Sequence, residues 1–114
     1  MVKEFKIKYS IIDIETTGGK FDHEKITEIA ILRINEKNKV DVLHRLINPM
    51  KKIQPFVEKL TRLNNKMLEN KPIFSDVAVE IQDFTKNSIF VAHNVNFDYR
   101  VLRKEFKSCL LYTS

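Results

Sequence analysis

Two acidic side chains separated by a single residue, Asp13 and Glu15, stand near the start of the chain. Alternate residues of a β-strand face the same side and lie roughly 6–7 Å apart along it, so the two carboxylates would repel each other. Ile12 and Ile14 supply an apolar opposite face, which predicts a strand buried on one side at residues 5–15. A divalent cation would offset the repulsion, and oxygen ligands favour Mg²⁺ or Mn²⁺. The alternative is a strand that ends at the surface with both acids solvated.

Small hydroxyl residues and a glycine follow this strand: Thr16, Thr17 and Gly18. Glycine allows another chain to approach the backbone closely, and the two hydroxyls could hydrogen-bond a sugar or a phosphate. The same residue types are typical of a turn that ends a strand. The pattern alone leaves open whether these residues bind a ligand or only turn the chain.

A second polar segment follows the apolar run SIFVA at residues 88–92, which predicts a buried central strand. The segment contains four side chains suited to a binding site: His93, Asn94, Phe97 and Asp98. A helix is expected to begin at Asn94 or Val95, which puts Asp98 in its first turn, where the helix dipole favours a carboxylate. An acid at that position is therefore explained by helix stability alone.

The two polar segments meet if strand 88–92 lies beside strand 5–15. The carboxyl ends of neighbouring strands are the usual place for an active site in α/β proteins. A pocket at that place would collect five side chains: Asp13, Glu15, His93, Asn94 and Asp98.

Seven segments of regular periodicity must position these residues. Patterns of period two predict strands at 5–15, 26–35, 39–47 and 88–92, and helical patterns predict helices at 56–70 (in two short pieces), 75–86 and 95–107. Ser75 is predicted to cap the helix at 75–86. Three antiparallel strands followed by a strand that is reached through helices predict an α/β fold with a mixed sheet flanked by helices.

Composition limits the class of protein. A chain of 114 residues has room for one domain, and 43% hydrophobic residues indicate a globular protein. The net charge of +5 suits contact with phosphates but is equally explained by solubility. The single cysteine excludes an internal disulfide. With no apolar run of membrane length and no secretory signal, the sequence predicts a cytoplasmic protein with no membrane partner.

Taken together, the polar segments resemble the DnaQ-like 3′→5′ exonucleases. IIDIETTGG at 11–19 and VAHNVNFD at 91–98 are similar to the first and second motifs of that family, and ITEIAI, INP, LTRLNNKML and KPIF extend the resemblance between them. The details GGK and KITEIAI are most similar to bacterial proteins of the DNA polymerase III epsilon (proofreading) type. The resemblance implies an RNase H-like fold, two divalent cations (Mg²⁺ or Mn²⁺), DNA 3′ ends as substrate and a replicative DNA polymerase as partner.

The resemblance also implies roles for individual residues. Asp13 would bridge both metal ions, Glu15 would help to hold one metal and the attacking water, and Asp98 would serve the other metal. Thr16 and Thr17 would grip the terminal nucleotide. The other implied nucleotide-binding residues are Thr61, Leu63, His93, Asn94 and Phe97. The implied chemistry is two-metal hydrolysis of a phosphodiester bond.

The sequence departs from the family pattern in two ways. The family's LTGI reads Leu60-Thr61-Arg62-Leu63, with arginine in place of glycine. The third motif, a histidine base with an aspartate ligand five residues later, is expected beyond residue 114, and CLLYTS at 109–114 is expected to be a tail unlike the family. The sequence therefore predicts the N-terminal portion of an exonuclease domain at 1–108, missing its C-terminal part and weak or inactive in catalysis.

Two other functions stay open on the sequence. One is an exoribonuclease of the same fold, and the other is a non-catalytic module that binds a polymerase or single-stranded ends. His93 and Asp98 are five residues apart but belong to the second motif, so they do not replace the third. The remaining acids and histidines of interest are expected to be solvated: Glu28, Asp41, Asp76, Glu80, His23 and His44.

Overall fold

A computed structural model describes residues 7–20 and 23–109 of the chain. Eight elements follow one another there: strands β1 (Tyr9–Thr16), β2 (Ile26–Ile34) and β3 (Val40–Leu46), helices α1 (Pro55–Thr61), α2 (Asn65–Leu68) and α3 (Phe74–Thr85), strand β4 (Ile89–Val91) and helix α4 (Val95–Ser108). This order confirms the predicted α/β architecture and the two short helices at 56–70. Among the described residues, no helix has both the length and the hydrophobicity that crossing a membrane would require.

The four strands form one mixed sheet in the order β3-β2-β1-β4. Strand β1 pairs antiparallel with β2 and parallel with β4, and β2 pairs antiparallel with β3. The strand that carries the acidic pair therefore lies between two neighbours. The prediction of a buried central strand at 88–92 is wrong for the described chain, because β4 has three residues, pairs on one side and leaves half of Ile89 exposed.

One face of the sheet carries the main core. Alternating isoleucines of β1 and β2, such as Ile12 and Ile29, are buried in one cluster with side chains of α3 and α4. Phe74 and Phe106 pack edge to face in this layer, with ring centroids 5.2 Å apart. A smaller cluster under α1 and α2 contains Ile53, Val57, Leu63 and Leu68. Each such buried side chain stabilises the fold by about 1.5–3 kcal/mol, so the main cluster fixes α3 and α4 against β1, while the smaller one packs α1 and α2 against Leu46 of β3.

Two rows of apolar side chains cross all four strands on the opposite face, here called the open face. The strand register aligns Val42, Leu32, Ile11 and Val91 in one row and Val40, Ile34, Tyr9 and Ile89 in the next. These side chains are partly or largely exposed, up to 64% for Val42. Asp13 and Glu15 alternate with Ile12 and Ile14, so they continue the open face toward the carboxyl end of β1.

Hydrogen bonds to the backbone set where the two long helices begin. Asn94 caps α4, because its side chain accepts a hydrogen bond from the Phe97 N–H. Helix α3 begins at Phe74, so the prediction that Ser75 caps it is wrong. The Asp76 carboxylate accepts the preceding N–H of Ile73 at 3.1 Å instead. Cys109 caps the end of α4, and the remainder of the tail predicted at 109–114 lies outside the described residues.

Candidate active site

An open cleft of about 390 Å³ lies at the carboxyl end of β1. It collects eight of the residues predicted for the site: Asp13, Glu15, Thr16, Thr61, His93, Asn94, Phe97 and Asp98. They meet because parallel pairing brings the carboxyl ends of β1 and β4 to one edge of the sheet, where α4 begins. The other two, Thr17 and Leu63, are buried and do not line the cleft.

The three acids of the cleft share one electrostatic environment. Burial raises the pKa of the Glu15 carboxyl above its ordinary value, and nearby carboxylates raise it further: Asp13, Glu28 and Asp98. Burial also raises the pKa of Asp98, where the charge of Asp13 adds to the effect and that of His93 opposes it. These shifts agree with the position of the three acids in the lining of one cleft.

The donor atoms at this place suit hard divalent cations. Asp13, Glu15 and Asp98 offer carboxylate oxygens, the ligands that Mg²⁺ and Mn²⁺ prefer. Their mutual repulsion is the kind that a bound cation neutralises. Within residues 7–20 and 23–109, no three His, Cys, Asp or Glu side chains are already arranged as a metal site. The residues therefore fit a metal in their chemistry, and binding has to draw the carboxylates together.

The turn after β1 is held by a buried carboxylate that the sequence did not single out, Glu24. Its Oε1 accepts the hydroxyl of Thr17 at 2.7 Å, and its Oε2 accepts the backbone N–H of Lys20 at 3.0 Å. Lys51 Nζ lies 3.6 Å from the same carboxylate. The Thr17 hydroxyl also accepts the N–H of Lys25 at 3.1 Å, so this side chain is fully used within the fold.

The hydroxyl of Thr16 is engaged locally as well. It donates a hydrogen bond of 2.6 Å to the carbonyl oxygen of Gly18. Both threonine hydroxyls therefore stabilise the turn, which is one of the two interpretations that the sequence left open. Thr16 nevertheless lines the cleft, next to Glu15.

Glu24 predicts a specific loss of stability in acid. Burial would raise the pKa of this carboxyl, but the hydrogen bonds from Thr17 and Lys20 and the charge of Lys51 lower it below its ordinary value. A carboxyl with a lowered pKa stabilises the fold above its unfolded-state pKa of about 4.3 and loses that contribution as the pH falls through the folded value. We expect the free energy of unfolding of Glu24→Gln to be about 1–3 kcal/mol lower than that of the wild type at neutral pH. This difference should shrink below about pH 4. Urea unfolding across this range is the measurement, and a constant difference contradicts the assignment.

Gly18 lies where the turn leaves no room for a side chain. A Cβ atom there would stand 2.5 Å from both Gln54 Nε2 and Glu24 Oε2, whereas a Cβ at Gly19 would meet nothing within 4 Å. We expect Gly18→Ala to lower the free energy of unfolding by about 1–3 kcal/mol, because both side chains must move. Gly19→Ala, the matched control, should change it by less than about 0.5 kcal/mol. Equal effects in thermal unfolding would show that the Glu24 contact does not constrain the turn.

A second buried carboxylate, Glu105, links the helix of Asp98 to the strands. Its Oε2 accepts the backbone N–H of Ile26 at 2.9 Å, and its Oε1 lies 3.4 Å from Lys25 Nζ. Ile26 is the first residue of β2 and Lys25 directly precedes it, beside a register shift at the end of β1. Asp98 stands seven residues before Glu105 and therefore on nearly the same face of α4. Glu105 thus fixes how α4 meets the acidic end of β1.

Three acids that were expected to be solvated form ion pairs at the surface. Glu28 Oε2 lies 2.6 Å from His44 Nε2, and Glu28 is the direct cross-strand partner of Glu15. The other pairs are Asp41 with Arg33 and Glu80 with Arg45. The partial exposure of these acids agrees with the expectation that they are solvated. Glu28 also adds negative charge beside the cleft.

Two exposed apolar residues of the cleft were not predicted. Phe56 and Leu60 stand one turn apart on α1, line the cleft and are 58% and 79% exposed. Their spacing of four residues indicates a shared helix face. The sequence pattern could not distinguish a face that packs in a core from one that forms the wall of a cleft.

A mixed sheet with an acidic cleft at the carboxyl end of its central strand defines an RNase H-like α/β domain of the nuclease class. The chain belongs to the exonuclease family RNase_T, whose family model matches residues 10–113. This match confirms the resemblance to 3′→5′ exonucleases that the motifs indicated.

Relatives of known identity share its sequence or its fold. The 3′-5′ exonuclease DinG of Staphylococcus aureus (strain USA300) is 41% identical over 101 residues, which are 89% of this chain and 11% of DinG. The chain thus spans a small part of the length of the curated relatives that it matches. Exonuclease X, solved in complex with 5′ overhanging duplex DNA, is 33% identical with a TM-score of 0.67, over 82% of this chain and 53% of that one. E. coli exonuclease I, solved with a dT13 oligonucleotide, shares the fold at 19% identity with a TM-score of 0.80, over 90% of this chain and 24% of that one.

Proposed function

We propose that this chain carries the acidic half of a 3′→5′ exonuclease active site that removes nucleotides from DNA 3′ ends. The observation that carries the proposal is the gathering of Asp13, Glu15 and Asp98 in one cleft, close enough for their charges to interact. The proposed cofactors are two divalent cations, Mg²⁺ or Mn²⁺. The family match and the sequence identity with DinG support the reaction class.

Each acid is proposed to have a separate role. Asp13 would help to hold both cations, Glu15 would help to hold one of them and would orient the attacking water, and Asp98 would help to hold the other. When bound, the cations supply Lewis acidity and a hydroxide for attack on the phosphodiester. The carboxylates contribute fixed negative charge in a partly buried setting, where it attracts a cation more strongly than it would in open water.

The rest of the cleft is proposed to hold the terminal nucleotide. Phe97 forms part of its wall together with Phe56 and Leu60, and aromatic faces of this kind stack with bases. Polar contacts are proposed for Thr16, Thr61, His93 and Asn94, which line the cleft. Thr17 and Leu63 are proposed to support the cleft without lining it. Thr17 would stabilise the turn held by Glu24, and Leu63 would stabilise the small core under α1.

DNA is the proposed substrate, and RNA is the alternative that a test must separate. Exonuclease I was solved with a dT13 oligonucleotide and exonuclease X with duplex DNA, which favours DNA for this chain. The net charge of +5 suits either nucleic acid. A replicative polymerase as partner, a role in proofreading and a cytoplasmic location rest on the sequence and stay predictions.

We also propose that these 114 residues form a weak enzyme by themselves. The family resemblance implies a fourth acidic ligand and a histidine base, and among these residues the one histidine with an aspartate five positions later is His93, which belongs to the second motif. Groups that act as a unit in catalysis fail together when one is missing. The chain is therefore expected to bind Mn²⁺ through three carboxylates and to hydrolyse DNA slowly.

Labelled oligonucleotides test the polarity and the substrate together. The chain is incubated with Mn²⁺ and DNA labelled at the 5′ end in one sample and at the 3′ end in another. A 3′→5′ exonuclease shortens the first DNA stepwise and releases the second label at once as a mononucleotide. RNA of the same sequence is treated in parallel.

Each outcome has a distinct meaning. Stepwise release from the 5′ end rejects the proposed polarity, and equal or faster hydrolysis of RNA rejects DNA as the preferred substrate. Mn²⁺-dependent binding of DNA without any hydrolysis supports the non-catalytic module instead. Failure of Mn²⁺ to raise the melting temperature rejects the three-acid metal site in this chain.

A further inference from the structure

Arg62 has a backbone conformation that is unfavourable for its residue type. It ends α1 with φ 62° and ψ 18°, in the left-handed region, and its N–H donates to the Glu58 carbonyl at 2.8 Å. Only glycine, and to a lesser degree asparagine or aspartate, adopts this region without appreciable cost. A helix end of this kind is a typical position for glycine. Something other than the stability of α1 therefore accounts for the arginine.

The residues on both sides of Arg62 are fixed. The Thr61 hydroxyl donates to the Val57 carbonyl at 2.8 Å and accepts the Leu63 N–H at 3.2 Å. Thr61 lines the acidic cleft, while Leu63 is buried in the core beneath α1. The Arg62 side chain is thereby attached to a rigid support at the rim of the cleft and is itself exposed.

The charge of Arg62 has no partner in the part of the chain that the structure describes. Among residues 7–20 and 23–109, its guanidinium makes no hydrogen bond or ion pair, unlike Arg33 and Arg45, which pair with carboxylates. The adjacent cleft contains three carboxylates that repel a polyanion until cations neutralise them. A fixed positive charge at the rim would offset that repulsion, and a guanidinium binds phosphate oxygens through two parallel hydrogen bonds.

We propose that Arg62 is a substrate-positioning residue that contacts a backbone phosphate of the nucleic acid strand whose 3′ end enters the cleft. The proposal rests on the proposed function, since it assumes that nucleic acid is the ligand. It explains why an unfavourable residue occupies the end of α1: the loss of backbone stability is the consequence of placing a cation at the rim. Met50 also has a positive φ, so the conformation alone does not carry the proposal; what distinguishes Arg62 is its charge and its place beside Thr61, which lines the cleft.

Opposite changes in stability and affinity test this proposal. Arg62→Gly removes the backbone strain and the charge together, so we expect its melting temperature to rise by about 3–5 °C. Binding is measured by fluorescence anisotropy with Mn²⁺ and a fluorescein-labelled oligothymidylate whose 3′ linkage is a hydrolysis-resistant phosphorothioate. The affinity of Arg62→Gly should fall about fivefold to tenfold. The slope of log affinity against log salt concentration should decrease by about one charge. A folding defect cannot produce this result, because the variant is expected to be the more stable protein.

Three further variants separate charge from backbone. Arg62→Ala removes the charge and keeps a non-glycine residue, so affinity should fall without the rise in melting temperature. Arg62→Lys should retain the salt dependence and most of the affinity. Lys37→Ala is the matched control, because it removes one positive charge from the β2–β3 turn, and that turn lies at the end of the sheet away from Glu15.

Two results would overturn the inference in different ways. If the wild-type chain binds the oligonucleotide and Arg62→Gly binds it equally well, or no worse than Lys37→Ala does, Arg62 has no positioning role and the proposed function stands. If the wild-type chain does not bind the oligonucleotide at all, the proposed function fails and the role of Arg62 fails with it.

Discussion

Asp13→Asn is expected to reduce Mn²⁺-dependent nucleotide release at least about 100-fold while it raises the melting temperature of the metal-free chain. Burial and, after it, the charge of Asp13 raise the pKa of both Glu15 and Asp98, which reflects repulsion among these carboxylates in the fold. A carboxyl with a raised folded-state pKa opposes folding once the pH exceeds its unfolded value. Removing one of the three charges relieves that repulsion and removes the proposed bridge between cations.

The matched control for this change is Asp83→Asn. Asp83 is exposed on α3, away from the residues that line the cleft, and the substitution alters net charge equally. Nucleotide release is measured with Mn²⁺, and thermal unfolding is measured in EDTA. Both measurements are made on the two variants and the wild type. The metal site is rejected if Asp13→Asn retains wild-type hydrolysis. The repulsion is rejected if this variant melts below the wild type in EDTA.

Glu105→Leu is expected to lower the free energy of unfolding by about 3 kcal/mol and the affinity for Mn²⁺ by about tenfold. Leucine fills the space of the glutamate side chain but accepts no hydrogen bond, so most of the loss comes from the unpaired Ile26 N–H and from the loss of the carboxylate partner of Lys25. Because Glu105 anchors the helix of Asp98 to the strands, its loss allows that acid to move relative to Glu15. Glu105→Gln retains an acceptor for the Ile26 N–H. Its losses of unfolding free energy and of Mn²⁺ affinity should each be less than half of those of Glu105→Leu.

A stability control is needed, because any loosened fold binds metal less well. Ile81→Val removes one buried methylene from α3 and should destabilise by about 0.5–1.5 kcal/mol without touching the cleft. Calorimetric Mn²⁺ titration and urea unfolding are measured for all three variants. If Mn²⁺ affinity falls in proportion to stability in Ile81→Val as well, the anchoring role of Glu105 is not specific.

The parts of the site that could be predicted from the sequence are those with a local pattern. Ile12 and Ile14 alternate with the acids, and that alternation gave the buried face of β1 and the side on which Asp13 lies. A helix start at Asn94 or Val95 was predicted after the apolar run, and α4 begins at Val95 with Asn94 as its cap and Asp98 in its first turn. The mixed sheet was predictable because three antiparallel strands precede a strand that is reached through helices.

The parts that could not be predicted depend on contacts between distant segments. Glu24 and Glu105 stand in polar stretches and look like solvated acids, yet each is buried by partners that only the fold supplies, such as Lys51 for the first and Ile26 for the second. Ser75 is a good capping residue, but helix α3 begins one residue before it. The carboxylate of Asp76 accepts the backbone N–H of Ile73 at the start of the helix instead. The edge position of β4 likewise depends on pairing, which its apolar composition does not encode.

The open face has a practical consequence for anyone who handles this chain. Its two rows of exposed apolar side chains favour self-association at high concentration. Replacing such residues with charged ones is the usual way to increase solubility. Ile11 stands two positions from Asp13 on the same side of β1, so a charge introduced there would alter cation binding along with solubility. Val40 and Val42, two strands away on β3, are the safer places for such engineering.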